Sequence, residues 1–297
     1  MNKNFGPIQH RELLKGDAGH RRYTRLISED RQVIWAEDNQ PKSLDQYLNI
    51  HTLLAHNGCN VPQIFAIEKT QGWLLVEDLG TQTLLDLWPL DHGHYLDRTL
   101  QQLVAMNQII LPRSLPFFNQ NHIIQEFKYC KDWFFGYAFS ALSHDETLIF
   151  DAFSHSVAEQ LVKFDQGFIH RDFHSANLMA YQDDLVLIDF QDAMWGPKGY
   201  DVASLAYDCY MDWPQDQKEN WLKQAQTQLS LARDEIDLIA LQRLIKVLGI
   251  FSRLKYRDQK PKYMQYLPRM FAYLKDLFTH FSEHHSTALL FKERGCW

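Results

Sequence analysis

Near residue 81 the apolar pattern of this 297-residue chain switches from short alternating runs to long helical periods, and few folds accommodate both. Before the switch, YTRLIS (23–28) and RQVIWAE (31–37) read as two strands joined by a turn at Glu29 and Asp30. VPQIFAIE (61–68) and GWLLVEDL (72–79) read as two more. SLDQYLNIHTLLAHNG (43–58) reads as a helix: Ser43 suits an N-cap, Leu44, Tyr47, Leu48 and Leu54 share a face, and Gly58 ends it. After the switch, helical periods cover 95–110, 122–142, 145–165, 217–230, 234–257 and 268–284. In the helix from Asp234, Ile236, Ile239, Ala240, Leu244, Val247, Leu248 and Phe251 form one broad apolar stripe. Pro268 suits the first turn of the last long helix. Two short strand-like pieces, GFIH (167–170) and LVLID (185–189), lie among the helices; if they pair as a hairpin, that pairing alone does not bring Asp172 and Asp189 together. The expected architecture is α+β and two-lobed, with a small strand-rich lobe over 1–80, a large mainly helical lobe over 81–297, and a junction near Glu77–Thr81. A cleft between lobes is a common place for a small-molecule site.

Composition narrows the class of partner. The formal net charge is −7, which leaves no spare basic surface for a general nucleic-acid binder. No run of eighteen apolar residues is present, so no membrane span is expected, and no N-terminal stretch has the pattern of a signal peptide. Cys59, Cys130, Cys209 and Cys296 are scattered without CxxC pairing, which fits free thiols in a reducing cytoplasm. His280 and His284 stand four apart on a helix and could share a metal, but with only Glu283 and His285 nearby a solvated helix end is the simpler reading. Nothing in the pattern fixes an oligomeric state.

The chemistry concentrates in HRDFHSAN (170–177), followed by LIDFQDA. An aspartate, an asparagine five positions later and a second aspartate at the end of an apolar strand are the groups that kinase-type phosphoryl transfer uses: one carboxylate to orient and deprotonate a hydroxyl, and two oxygen ligands for Mg²⁺. Hard oxygen donors suit Mg²⁺, which completes its shell with phosphates and water.

These two stretches resemble the catalytic and metal loops of the aminoglycoside phosphotransferase and choline kinase group, which shares the two-lobed protein-kinase-like fold. GDAGHRRYTRL, LVEDLG, QEFKYCKDWF, LIDFQDAMWGPKGYDVASLAYDCY and LQRLIKVLGIFSRLKYRDQKPKYMQYLPR are similar, more narrowly, to the bacterial anomeric kinases of N-acetylmuramate and N-acetylglucosamine, which act in cell-wall recycling. The likeness runs from about residue 11 to 275. It implies an ATP- and Mg²⁺-dependent cytoplasmic enzyme that phosphorylates the anomeric hydroxyl of an amino sugar. On this likeness Asp172 is the catalytic base, and Asn177 and Asp189 hold Mg²⁺. His170 braces the loop, and Asp201 supports it from the following helix. Glu77, Asp78 and Leu79 form the hinge that pairs with adenine.

One departure stands out. The third strand of a kinase carries a lysine for the α- and β-phosphates, as in V-A-I-K, but here it reads QVIWAED. Lys42 follows in the wrong register, whereas Arg21, Arg22 and Arg25 could reach the phosphates, since a guanidinium grips them bidentately. Each assignment has a plainer rival. Asp172 and Asp189 could be turn residues, His170 a satisfied structural histidine, and Arg22 and Arg25 solvated strand charges. Gly16 and Gly19 could cover phosphates or simply turn the chain. Trp133, Phe134 and Phe135 read as core. Glu126, His174, Asp192 and Arg253 are candidates for the acceptor site, with Arg253 a base for a sugar carboxylate. Two other functions stay open: a kinase of the same fold acting on an aminoglycoside, choline or another small alcohol, for which Asp192, Asp208 and Asp212 could supply the carboxylates; and an inactive kinase-like binding module.

Overall fold

The structure is a computed structural model that describes residues 7–14, 21–38, 41–88, 93–110, 112 and 115–297, with backbone alone at 41–43. Gly16, Gly19 and the side chains of Lys42 and Ser43 lie outside the described part. In chain order the elements are β1 His10–Leu14, β2 Arg22–Ile27, β3 Gln32–Glu37, α1 Pro41–His56, β4 Ile64–Glu68, β5 Trp73–Glu77, α2 Leu84–Leu87, α3 Gly93–Asn107 and α4 Gln120–Tyr129. A π-helix Cys130–Ala138 continues α4, followed by α5 His144–Leu161, β6 Gln166–Ile169, β7 Leu178–Tyr181, β8 Asp184–Leu187, β9 Met194–Pro197, α6 Tyr200–Ala206, α7 Gln215–Leu229, α8 Arg233–Tyr256, α9 Leu267–His280 and α10 His285–Lys292. The chain forms two compact units, Met1–Ile109 with Ala176–Ala193, and Ile110–Ser175 with Met194–Trp297. Compactness therefore groups 81–109 and 176–193 with the strands, whereas the sequence pattern drew its line at 80/81.

The first unit is built on an antiparallel sheet of order β1-β2-β3-β5-β4. Its core is the apolar alternation read from the sequence: Leu26, Val33, Ala36 and Leu74 are buried, with Leu44 and Leu54 from α1. The β2–β3 turn closes where Glu29 and Asp30 predicted it, with Ser28 N donating to Arg31 O at 3.0 Å. Strand β1 escaped the sequence reading because HRELL is exposed and lacks a buried alternation.

GFIH and LVLID do not pair with each other. β6 pairs with Met194–Pro197, and β8 pairs with Leu178–Tyr181. The physical reason is local: Gln182 and Asp183 have φ of 50° and 62°, the left-handed pair of a type I′ turn, so LMAY folds directly back onto DLVL.

The second unit packs around α8, which is buried on almost every side rather than along one stripe. Gln242, Arg243 and Lys246 are buried along with its leucines and isoleucines. The expected 122–142 helix is α4 plus the π-helix, and the change coincides with a backbone-to-backbone approach. A Cβ on Gly249 of α8 would stand 2.2 Å from the Tyr129 carbonyl carbon and 2.4 Å from Cys130 N, so only glycine allows it. Phe134 and Phe135 are core as expected, in edge contact at 5.3 Å, and Phe135 also meets Phe150 and Phe291. His280 bonds Asp234 at 2.9 Å, while His284 is buried edge-on to Phe153 rather than solvated.

Candidate active site

Strand β6 delivers the chain to His170, and α6 holds the loop beyond it. The Asp201 carboxylate, in the first turn of α6, accepts from His170 N at 2.7 Å and Arg171 N at 3.0 Å. Between these bonds Arg171 takes φ of 74°, a conformation that costs a non-glycine residue about 1–2 kcal/mol and is sustained only where the surroundings over-determine it. His170 is fully buried, and its Nδ1 accepts from Asp172 N at 3.3 Å. At the far end of the loop, Ser175 donates from both N (2.8 Å) and Oγ (2.6 Å) to buried Asp208. Asp172 thus sits on a loop pinned on both sides by carboxylates, Asp201 in the first turn of α6 and Asp208 just beyond its end.

The charge around Asp172 is mostly positive. Burial opposes its ionisation, but Lys246, His174, Arg243 and Arg171 outweigh that and hold its pKa down to about 2. Glu126, on α4 and 5% exposed, is not open to a ligand: Oε1 takes Arg171 Nη2 at 2.6 Å and Lys246 Nζ at 3.1 Å, and Oε2 takes Gln242 Nε2 at 2.9 Å. Burial raises its proton affinity, but Lys246 and Arg171 reverse the shift and hold its carboxyl below the usual range. Arg243, one turn before Lys246 on α8, is 7% exposed, and its Nε is buried with no hydrogen-bond partner among the described residues. His174 contributes its backbone N–H to Asp172 O at 3.0 Å and rests edge-on against Tyr210.

Arg253, the base anticipated for an acceptor carboxylate, lies ten residues beyond Arg243 on α8, about 15 Å along the axis, with its guanidinium over the Tyr129 ring at 5.2 Å. Asp208 is committed to Ser175, and Asp212 meets Arg269 at 3.4 Å. Sequence reasoning missed Arg243, Lys246 and Gln242, although two cations three residues apart in the apolar middle of α8 were a visible signal.

The metal-ligand candidates belong to the first unit. The β7–β8 register sets Leu178 opposite Leu187, and Ile188 N donates to Asn177 O at 3.2 Å. Asn177 and Asp189 therefore come to the same end of one hairpin, which explains their spacing. Asp189 has φ of 62°, and its Oδ1 accepts from Gln191 Nε2 at 2.6 Å. Buried Phe190 stacks on Tyr47 of α1 at 4.9 Å, and Gln46 Nε2 donates to Gln191 O at 2.7 Å. Two oxygen-bearing side chains at one hairpin end fit Mg²⁺, which shares its shell with phosphates and water. Asp192 is exposed on the loop beyond.

The hinge candidates follow β5. Glu77 N donates to Gln63 O at 2.8 Å, and Leu79 packs with Met179 and Val186, flanked by Tyr181 and Ile188. Arg25 is committed here: its Nε reaches Asp78 Oδ2 at 2.5 Å and its Nη2 reaches Asp78 Oδ1 at 3.0 Å and Gly80 O at 3.1 Å. Its third partner is Glu12, met by Nη1 at 3.1 Å. Arg22 is exposed in register with Glu37. An open cavity of about 750 Å³ borders Asp78–Gln82 on one side of the hinge.

Residues 10–239 match the phosphotransferase enzyme family. The chain is 31% identical over 293 residues to the N-acetylmuramate/N-acetylglucosamine kinase of Pseudomonas aeruginosa, covering 92% of this chain and 86% of that protein. Against the protein of the same name from Pseudomonas putida it is 30% identical, covering 88% and 81%. Choline kinase LicA from Streptococcus pneumoniae superposes with a TM-score of 0.65 at 14% identity, covering 92% of this chain and 94% of that one. The chain belongs to the phosphotransferase enzyme family, and it is a kinase with that family's protein-kinase-like α+β fold.

Proposed function

We propose that the chain moves the γ-phosphoryl of ATP onto the anomeric hydroxyl of N-acetylmuramate, with N-acetylglucosamine as an alternative acceptor, giving the sugar 1-phosphate for peptidoglycan recycling. The names of the relatives support the acceptor class. The observation that carries the reading within this chain is the cationic surround of Asp172, made of Lys246, Arg243 and Arg171. It disfavours a cationic acceptor such as an aminoglycoside or choline, and Asp208 and Asp212 are already engaged. It suits a sugar carrying a carboxylate, with Arg243 better placed to meet it than Arg253.

Asp172 receives the acceptor hydroxyl as an ionised carboxylate. With so low a proton affinity its main work is to aim the hydroxyl, and it takes the proton as the bond to phosphorus forms, as a loose phosphoryl transition state requires. Asn177 and Asp189 would hold Mg²⁺, which neutralises phosphate charge when bound. Residues 1–80 would serve the nucleotide and 81–297 catalysis and the acceptor, the hinge Glu77–Leu79 pairing with adenine and Leu79, Met179 and Val186 giving it an apolar surface. Four buried free thiols fit a reducing cytoplasm.

The test is a panel of N-acetylmuramate, N-acetylglucosamine, choline and aminoglycosides assayed for ADP release, with phosphorus NMR of each product. An anomeric phosphate formed from N-acetylmuramate is expected. Turnover of choline or an aminoglycoside alone overturns the acceptor, and no turnover with any of them favours a binding module.

A further inference from the structure

We propose that Arg21 is the cation that grips the nucleotide phosphates, in the place that a strand lysine fills in kinases with V-A-I-K. The proposal rests on the ATP reading above and says how the first unit serves it.

In V-A-I-K the lysine follows the alanine by two residues and shares its face of the strand, where it pairs with a glutamate from the next helix. Here Ala36 is 1% exposed, and Asp38 stands two residues beyond it on the same face. The Asp38 side chain is 2% exposed, so a buried carboxylate occupies the lysine position. Its placement is fixed by the backbone: Asp38 N donates to Gly72 O at 2.7 Å. Gly72 has φ of +70°, and a Cβ on it would stand 2.4 Å from Asp38 O, so no other residue fits.

A buried carboxylate without a cation is costly, and Asp38 has one. The β2–β3 register sets Arg22 opposite Glu37, which brings Arg21 opposite Asp38. Arg21 Nε and Nη2 donate to Asp38 Oδ2 at 3.3 and 3.1 Å. Helix α1 offers no glutamate here; it offers Tyr47, whose ring lies 4.7 Å from the guanidinium carbon. The same ring stacks on Phe190, beside Asp189. Tyr23 hydrogen-bonds Arg21 and also feels the Asp189 charge. The pair has thus been reversed: the strand supplies the carboxylate, the neighbouring strand supplies the cation, and the helix supplies an aromatic face.

Of the three arginines in this stretch, Arg22 is exposed and Arg25 is held by the hinge. Only Arg21 is fixed against the ring that carries the metal-loop phenylalanine. Both Asp38 and Tyr23 engage its guanidinium, and the planar fork suits phosphate oxygens.

The test compares Mg²⁺ with a non-hydrolysable ATP analogue against adenosine, by calorimetry, on wild type, on Arg21→Lys and on the double variant Arg21→Met/Asp38→Asn. The double variant removes both charges and leaves neither buried alone. It is expected to bind adenosine like wild type but the ATP analogue about 10- to 100-fold more weakly, the loss for charge-assisted hydrogen bonds. Arg21→Lys should fall between the two, keeping a charge for Asp38 but not the fork. If the double variant shows no thermal unfolding transition, Arg21→Lys alone decides. Wild-type affinity for the ATP analogue in whichever variant decides overturns the proposal. A wild-type chain that binds neither ligand overturns the ATP reading, and the proposal with it.

Discussion

The loop that carries Asp172 is fixed by carboxylates distant in sequence, whereas the hairpin that carries Asn177 and Asp189 is fixed by its own backbone ladder. In the first, Asp201 and Asp208 accept backbone N–H groups across 30 to 33 residues of sequence, and Glu126 holds Arg171 across 45. In the second, four cross-strand pairs and one turn do the work over little more than ten residues. The lesson concerns failure: a loop held by buried charge breaks when one partner is removed, and a hairpin held by ladder bonds tolerates changes in its side chains.

The largest effect is expected at Asp172 itself. Asp172→Asn should lower kcat by about 10²–10⁴-fold, the range for a lost proton acceptor, while nucleotide affinity measured by calorimetry stays unchanged. Because its pKa is held down to about 2, below the ordinary 3.8, the carboxylate stays ionised as pH falls through 4. The acid limb of the wild-type pH–rate profile should therefore show no titration in the ordinary carboxylate range attributable to Asp172. Full activity in the variant would remove Asp172 from the mechanism.

Next comes the brace. Glu126→Ala leaves Arg171 and Lys246 facing each other in a buried site without their shared carboxylate. Breaking such an arrangement costs about 3–5 kcal/mol, readable as a shift in denaturant midpoint. Since the folded-state carboxyl sits below its usual range, this contribution is present above the ordinary carboxylate pKa and is lost as the wild type is acidified. A loss under about 1 kcal/mol would mean that the cations find other partners and the loop is not held by buried charge.

That difference also decided what the sequence could disclose. The hairpin is local, and Asn177, Asp189 and the apolar strand between them were legible as a spacing. The loop network is not local. Asp201 was found through likeness to a family, while Arg243, Lys246 and the role of Asp208 depend on how α6 and α8 pack, which no periodicity encodes. Glu126 was a candidate for the acceptor site; burial between two cations gave it a different task. The π-helix was illegible for the same reason, since it meets α8 at Gly249, more than a hundred residues away. The strand lobe was easy to outline, but β1 lacks a buried face, and the fate of Arg21 and Arg25 depends on which carboxylate each one meets.

A milder cut at the loop sharpens the contrast. Ser175→Ala removes the Oγ–H donor to Asp208 at 2.6 Å, but Ser175 N and Tyr210 N still donate to that carboxylate. A loss of about 1.5–3 kcal/mol is expected, with kcat lowered if the loop end loosens. Unchanged stability would show that the backbone donors alone satisfy Asp208.

The smallest effect belongs to the hairpin and has the opposite direction. Gln182 and Asp183 both hold positive φ, where Asn-Gly is the favoured pair for a type I′ turn. The Asp183 carbonyl accepts from His94 Nε2 at 2.8 Å, a contact that a side-chain replacement leaves in place. Gln182→Asn/Asp183→Gly should therefore raise stability by about 0.5–1 kcal/mol by relieving backbone strain. The β7–β8 register is set by the ladder and the turn length, both unchanged, so Asn177 and Asp189 keep their common end and the Mg²⁺ dependence of turnover that the proposed function calls for should match that of wild type. A shifted metal titration in this variant would show that the turn, rather than the ladder, positions the two candidate ligands.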